Sequence, residues 1–369
     1  MASQALLLRP PRGTRAASTV QGHLRLVHSS LLLRGGARTP LLPLESEGFW
    51  RSTLPTPSLL RRLTQGEPQQ EGARRPRREA EEEVWGQLTA RGADEAFAVG
   101  RRLESWLAEQ TATAVVDFDD DGDEDVQQAL HTTVITSPTQ RAMLTARAVV
   151  SALLPRGQRA DAAKVRLRLA TRALRVEQDA EESAADDEHA KQDVALDLAE
   201  LLGQDPQAFE GASWARLLDV AECTETFGLL PKGQLTEATW QAVLSRPKQA
   251  AMKLADTKAV NRLAPLLRLS LEPCLRWRRL AKMKAARDEG HERLRLLVLP
   301  GFSLLCWAAA LDLPRFAQTW PSPASNFLVE TLLDEADTAF LRIWRMHDYL
   351  ELKPKWHQDG PVPLDRFLE

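Results

Sequence analysis

The sequence contains little cysteine, and its few cysteines lie far apart. It has three in 369 residues, Cys223, Cys274 and Cys306, and no C-x-x-C pair is present. An odd number of widely spaced thiols predicts neither a disulfide framework nor a zinc site. Reduced, structural thiols are therefore expected, which favours a cytosolic or organellar protein over a secreted one.

Long hydrophobic runs and a strong charge imbalance are also lacking. The best candidate for a membrane span, residues 294–313, is interrupted by Arg295 and by Pro300-Gly301. A spanning helix needs about 20 uninterrupted apolar residues, so we expect no transmembrane span but a buried strand, a turn and a buried helix. The formal net charge of -3 comes from 48 basic and 51 acidic residues. Nothing in this balance favours nucleic acid as a partner.

The N-terminus lacks acidic residues. Arg9, Arg12 and Arg15 stand among serines and alanines, and the first acidic residue is Glu45. This composition is typical of an organelle transit peptide, although residues 1–22 form a short one. We predict a basic tail or transit segment there, with a mitochondrial or other organellar location as the first expectation and a cytoplasmic one as the alternative.

The rest of the chain predicts an α/β core that a helical segment interrupts. Strand–turn–helix patterns, with helices capped by Thr89 and by Ser137, occupy residues 23–158. Residues 159–290 are mainly helical in pattern, and the strand patterns return in 291–369. We predict a discontinuous α/β core, 23–158 with 291–369, and a mainly helical cap insertion at 159–290.

An acidic run at residues 117–125, DFDDDGDED, begins like a calcium-binding loop. Its first six residues match D-x-D-x-D-G, but Gln128 stands where the bidentate glutamate of such a loop belongs. A solvated acidic loop is the simpler interpretation, and a calcium site is the alternative. We expect no cofactor and no other metal site.

Three arginines are placed where an anion could bind. Arg34 and Arg38 flank a glycine-rich turn at the end of the first strand, and Arg141 lies in the first turn of a helix that follows another strand. Helix N-termini carry positive potential, and the guanidinium fork donates in pairs to phosphate oxygens. The pattern indicates a phosphate site, with three solvated surface arginines as the alternative.

The segments around these arginines resemble the motifs of the histidine acid phosphatases. RGGARTP (34–40) resembles R-H-G-x-R-x-P, and SPTQRAMLTAR (137–147) resembles the segment that carries the third phosphate-binding arginine of the family. LTARGADEAFAVGRRL (88–103) and PASNFLVETL (323–332) are similar to two further motifs, and all four occur in the order of the family.

The resemblance has consequences for fold and ligand. It implies the three-layer α/β sandwich of the phosphoglycerate-mutase-like or histidine phosphatase type with a helical cap, and phosphate binding by Arg34, Arg38 and Arg141. Within the family, the likeness is greatest to the lysophosphatidic acid phosphatases, a mitochondrial branch.

The reacting groups of the family are absent from these motifs. The position of the nucleophilic histidine is Gly35, and the His-Asp pair corresponds by position to Pro300 and Gly301. Of the possible substitutes, His28 lies six residues before Arg34, and His131 precedes its strand, so each is expected at the wrong end. We therefore assign no catalytic residue.

The sequence leaves three functions open. A catalytically inactive pseudophosphatase with a phosphate-binding arginine cradle is favoured, and its partner would be a phosphorylated small molecule or a lysophospholipid. The first alternative is an active acid phosphatase with atypical residues that hydrolyses phosphomonoesters or lysophosphatidic acid. The second is a structural subunit of an organellar protein complex.

Overall fold

The structure is a computed structural model that describes most of the chain. The described residues are 24–64, 84–114, 132–153, 165–169, 188–229, 238, 245, 260–282, 292–313, 320–354, 356–357 and 360–368. The predicted tail at 1–22 and the acidic loop at 117–125 lie outside them.

One sheet runs through the described part of the molecule. Its strands pair in the order β3-β2-β4-β1-β5-β6-β7, and β8 pairs with β6. The first four strands of this order are parallel to one another, and β5 to β8 join by antiparallel pairing. The strands are β1 (Arg25–Arg34), β2 (Thr132–Thr136), β3 (Val165–Leu169), β4 (Leu294–Leu299), β5 (Asn326–Leu333), β6 (Ala339–Arg345), β7 (Leu350–Leu352) and β8 (Val362–Pro363).

Helices occupy the segments between most of these strands. They are α1 (Glu47–Ser52), α2 (Pro57–Thr64), α3 (Ala90–Ala114), α4 (Gln140–Leu153), α5 (Glu188–Leu202), α6 (Trp214–Thr226), α7 (Val260–Lys282), α8 (Gly301–Ala310) and α9 (Leu364–Leu368), and a 3₁₀ turn spans Pro206–Phe209. Within the described residues, no helix is long and apolar enough to cross a membrane.

The sheet is covered on both faces, which confirms the three-layer α/β sandwich. Successive side chains of a strand point to opposite faces. In β1, Leu31 and Leu33 pack in one cluster with α3 and α4, whereas Leu32 packs in a second cluster with α7 and α8. A strand buried on both faces is uniformly apolar, and the Leu31-Leu32-Leu33 run has this property.

A third apolar cluster lies around α5 and α6. It joins Leu217 and Leu218 of α6 to Leu198 of α5 and to Trp50 of α1. Helices α5 and α6 belong to the segment predicted as a cap, and the cluster that they share with Trp50 of α1 is separate from the two that flank the sheet.

Two elements near the ends of the segment 159–290, β3 and α7, lie in or against the sheet. Strand β3 pairs with β2 in the sheet, and α7 packs Leu266, Leu271 and Trp277 into a cluster that flanks the sheet. Both elements are therefore part of the sandwich. Sequence reasoning assigned them to the cap because the pattern of the segment is mainly helical and does not show which of its elements pack on the sheet.

The two predicted helix caps have different outcomes. Thr89 caps α3 as expected, since its Oγ1 accepts a hydrogen bond from the Gly92 N–H at 3.1 Å. The cap of α4 is Thr139 rather than Ser137, because the helix begins at Gln140 and the Thr139 hydroxyl accepts from the Ala142 N–H at 3.4 Å.

Candidate functional site

The candidate site lies where β1, β2 and β4 end. These strands are parallel, and Arg34 at the end of β1 pairs with Leu299 at the end of β4. Helix α4 starts beyond β2 and α8 starts directly after β4. Ligands of α/β proteins bind outside the carboxyl ends of the strands, and this edge is where Arg34, Gly35, Arg141, Pro300 and Gly301 stand.

Gly35 faces Arg141. A Cβ atom added at Gly35 would lie 4.0 Å from Arg141 Nε and 3.9 Å from Thr145 Oγ1, which are ordinary contact distances. The next residue, Gly36, donates its N–H to Thr145 Oγ1 at 3.3 Å. The position that the resemblance assigns to the nucleophile therefore has room for the first atom of a side chain, beside a predicted phosphate-binding arginine.

Gly301 lies against the side chain of Arg34. A Cβ atom added at Gly301 would be 2.7 Å from Arg34 Nε and 3.1 Å from its Cζ. Pro300 forms the N-cap of α8 without a side-chain hydrogen bond. Any residue other than glycine at position 301 would therefore clash with the Arg34 side chain.

The guanidinium of Arg34 is bound on several sides. Its Nη1 and Nη2 donate to the two carboxylate oxygens of Glu222, and Nη1 also donates to the Pro321 carbonyl. The Trp320 ring lies 5.5 Å from the guanidinium carbon, and its indole N–H donates to Glu222 Oε2 at 3.2 Å. Arg34 and Glu222 are both buried.

Arg38 forms a second ion pair with the same helix. Its Nη2 is paired with Asp219 Oδ1, and Asp219 Oδ2 accepts a hydrogen bond from the Leu41 N–H at 2.6 Å. The Cys223 thiol donates to Asp219 Oδ1 at 3.6 Å. Burial raises the pKa of Cys223 well above its usual range, and the negative charge of Asp219 adds to this rise.

The loop between the two arginines is fixed by the start of α3. The Ala37 carbonyl accepts from the Thr89 hydroxyl at 2.8 Å, and the Ala37 N–H donates to Glu95 Oε2 at 3.1 Å. Arg38 therefore projects from a backbone that is tied to the helix.

Sequence reasoning missed Asp219 and Glu222. Both are acidic residues in α6, and both are buried, at 3% and 8% exposure. The available signal was that they fall among the apolar residues of the sequence WARLLDVAEC rather than on its polar side. Acidic side chains are almost never buried unless they are paired, but the sequence did not indicate the partners.

The two histidines considered as substitutes have different outcomes. His28 lies at the opposite end of β1 from the site, where its Nδ1 is 3.0 Å from the carbonyl of Glu292, just before β4 begins. Burial lowers the pKa of His28 to about 4. His131 lies outside the described residues.

No metal centre is found in the described part of the chain, where no three His, Cys, Asp or Glu side chains form a group that could hold an ion. The calcium loop considered at 117–125 falls outside this part. The arrangement at the sheet edge is thus one of arginines and carboxylates.

The structure is similar to those of phytases. The apo form of Hafnia alvei phytase superposes with a TM-score of 0.51 at 13% identity, covering 93% of this chain and 95% of that one. The complex of the same phytase with myo-inositol hexakis sulphate gives the same values. The phytase from D. castellii gives a TM-score of 0.51 at 12% identity, covering 98% of this chain and 81% of that one.

The likeness is one of structure, because no protein-family model and no curated protein matches the sequence. It extends over nearly the whole chain. Phytases are histidine acid phosphatases. The chain therefore has the fold of the histidine acid phosphatases.

Proposed function

We propose that this chain is a catalytically inactive pseudophosphatase. The observation that carries the proposal is the composition of the sheet edge. The positions that the resemblance assigns to the nucleophile and to the His-Asp pair are Gly35, Pro300 and Gly301. Gly35 lies beside Arg141 and Gly301 beside Arg34, two of the three arginines that the resemblance assigns to phosphate binding.

The missing groups are those that carry out the reaction. A phosphohistidine intermediate divides one difficult displacement into two easier steps, and glycine has no atom that could form it. Protonation of the leaving group typically contributes about 10²–10⁴-fold, and neither proline nor glycine has a side-chain proton to donate. Arginines alone stabilise a phosphate electrostatically without supplying a nucleophile.

The test is an assay of the purified protein on a chromogenic phosphate monoester. We expect a rate no higher than that of the Arg38→Ala variant, because any turnover at this edge needs the arginines. The comparison with Arg38→Ala separates activity of this site from that of a contaminating phosphatase. Turnover by the unaltered chain that disappears in Arg38→Ala would contradict the proposal.

The variant Gly35→His sharpens the assay. The structure leaves room for its Cβ, so we expect a folded protein with a nucleophile but no acid. Gly301→Asp is not a simple restoration, because its Cβ would be 2.7 Å from Arg34 Nε. The triple variant Gly35→His, Pro300→His, Gly301→Asp is therefore expected to stay inactive unless Arg34 also moves.

The class of ligand is a separate part of the proposal. A phosphorylated small molecule is the class that the fold and the arginines support best, and a lysophospholipid is the form that the likeness to lysophosphatidic acid phosphatases favours. Because Arg34 and Arg38 already have carboxylate partners, binding of such a ligand depends on those ion pairs.

A further inference from the structure

The pairing between Arg34 and Glu222 has the geometry with which arginine binds phosphate. Two guanidinium nitrogens donate to two oxygens of one anionic group, which is the forked arrangement typical of arginine with carboxylate or phosphate. The indole N–H of Trp320 donates to one of the same oxygens at 3.2 Å. Glu222 therefore takes the hydrogen bonds that an oxyanion at Arg34 would receive.

Asp219 occupies Arg38 in the same manner. One of its oxygens is paired with the guanidinium, and the other accepts the backbone N–H of Leu41 at 2.6 Å. The Asp219 side chain is 3% exposed, so this carboxylate is buried against the arginine.

Both carboxylates belong to the same helix. Asp219 and Glu222 are three residues apart in α6 and lie on the same side of it, since residues at this spacing are neighbours on a helix surface. Helix α6 is held by the third apolar cluster, through Leu217 and Leu218. The two negative charges are thus placed on the two positive charges by packing that involves neither arginine.

Gly301, which stands where the resemblance places the catalytic aspartate, lies beside this ion pair. Arg34 reaches Glu222 along a path that passes 2.7 Å from the position of a Cβ at residue 301. Real side-chain carbons do not approach a nitrogen so closely, so the observed position of Arg34 requires glycine there. An aspartate at this position, which the resemblance implies for active members, is incompatible with Arg34 where it lies.

We propose that Asp219 and Glu222 replace phosphate as the anions of the arginine cradle, and that free phosphate and phosphate esters are excluded as long as α6 stays in place, so that a phosphorylated ligand of the proposed class binds only when α6 is displaced. This inference rests on the proposed function, because it concerns the same site. It adds that the two arginines have become the anchor of the cap helix, and that a phosphate must displace α6 to reach them.

The experiment compares thermal unfolding of the full chain with and without inorganic phosphate. A ligand that binds the folded state raises the unfolding midpoint once its concentration exceeds its dissociation constant. We expect no shift for the unaltered chain at about 10 mM phosphate, but a clear rise for Asp219→Asn, Glu222→Gln, corresponding to about tenfold tighter binding or more. Adding Arg38→Ala to the double variant should abolish the rise.

The matched control is Glu225→Gln. This residue also lies in α6, but it is exposed, so its neutralisation changes the net charge by the same amount as Glu222→Gln without releasing an arginine. No phosphate response is expected. If the double variant fails to fold, the single variant Glu222→Gln takes its place, because it keeps the Arg38–Asp219 pair. Phosphate should raise its unfolding midpoint more than that of the unaltered chain.

Two results would overturn the inference. One is stabilisation of the unaltered chain by phosphate that Arg38→Ala removes, and the other is a folded Glu222→Gln variant with no gain in phosphate response. Neither bears on catalysis, because the proposed function fails only if the unaltered chain turns over a phosphate ester.

Discussion

Two buried arginines lie at opposite ends of neighbouring parallel strands, and their surroundings look alike. Arg34 ends β1, and Arg295 is the second residue of β4. Arg295 donates to both oxygens of Glu292 at 2.6 and 2.7 Å, and to Glu272 and the Leu269 carbonyl at 2.9 Å. Arg34 likewise has a forked carboxylate, Glu222, and one backbone carbonyl.

The origin of the partners distinguishes the two arginines. Glu292 precedes Arg295 by three residues, and Glu272 belongs to α7, which packs on the same sheet. Glu222 belongs to α6, which packs in a third apolar cluster, separate from the two that flank the sheet. The Arg295 cluster therefore joins parts of the sandwich, whereas the Arg34 pair joins the sandwich to the helices above it. A buried arginine with a carboxylate is not by itself a functional site, and its position in the fold decides its meaning.

The largest expected effect is at Arg295. Replacing it by methionine leaves the mostly buried carboxylate of Glu292 and the Leu269 carbonyl without this donor. Loss of one member of a buried pair typically destabilises a protein by about 3–5 kcal/mol, and we expect this loss in the free energy of unfolding by urea. The exposed Arg276→Met variant in α7 is the control, with an expected change within about 0.5 kcal/mol. A similar change in the free energy of unfolding in both variants would show that the contacts of Arg295 do not stabilise the fold.

A pH effect is expected at the same end of the sheet, from His28. Its Nδ1 must carry the proton, because its 3.0 Å partner is the Glu292 carbonyl, so Nε2 accepts from the Ser30 hydroxyl, also at 3.0 Å. Burial lowers the pKa of His28 to about 4, from an ordinary 6.5. As the pH falls below 6.5, the unfolded chain binds a proton that the folded chain does not bind until about pH 4.

The stability contributed by neutral His28 is therefore complete above pH 6.5 and is lost progressively towards pH 4. The loss amounts to about 3 kcal/mol at 1.36 kcal/mol for each pH unit. Unfolding free energies at several pH values should show a shallower slope in His28→Gln over this window. Parallel slopes for the two proteins would assign the acid sensitivity to other groups.

A smaller loss of stability is expected from Gly301→Ala, at the carboxyl ends of β1 and β4. The added methyl group would clash with Arg34 Nε. Arg34 cannot move away easily, because its guanidinium is hydrogen-bonded to Glu222 and to the Pro321 carbonyl. Overpacking of this kind costs about 1–3 kcal/mol, measured as the free energy of unfolding. The same substitution should cost less in an Arg34→Ala background, where the contested space is empty.

The control for this substitution is Gly48→Ala in α1. A Cβ atom at Gly48 meets nothing within 4 Å. Alanine favours a helix over glycine by up to about 1 kcal/mol, so this variant should be neutral or slightly stabilised. An equal loss of stability at both glycines would mean that Arg34 does not depend on the space beside Gly301.

The elements around the site were predictable because their signals are local. The apolar run at Leu31-Leu32-Leu33 indicated a buried strand, Thr89 indicated a helix start, and the run 294–299 before Pro300-Gly301 indicated a strand followed by a helix. Each of these elements is present. The structure also brings together Gly35 with Arg141 and Gly301 with Arg34, as expected when parallel strands end at one edge.

The pairing of Asp219 and Glu222 with the arginines could not be predicted. Nearly two hundred residues separate Arg34 from Glu222 along the chain, and no local pattern indicates which acidic residues face a given arginine. The same reason explains why α7 was assigned to the cap, since it packs against β1, which is far away in sequence.

The amino-acid sequence alone determined that this chain is an α/β protein with three arginines near its strand ends, and it predicted that the reacting groups of the family it resembles are absent. These properties follow from residue identity and short-range periodicity. The tertiary structure alone decided that α6 brings two carboxylates to two of those arginines. A buried charge needs a partner of opposite sign, and only the packing of distant segments determines which partner is within reach.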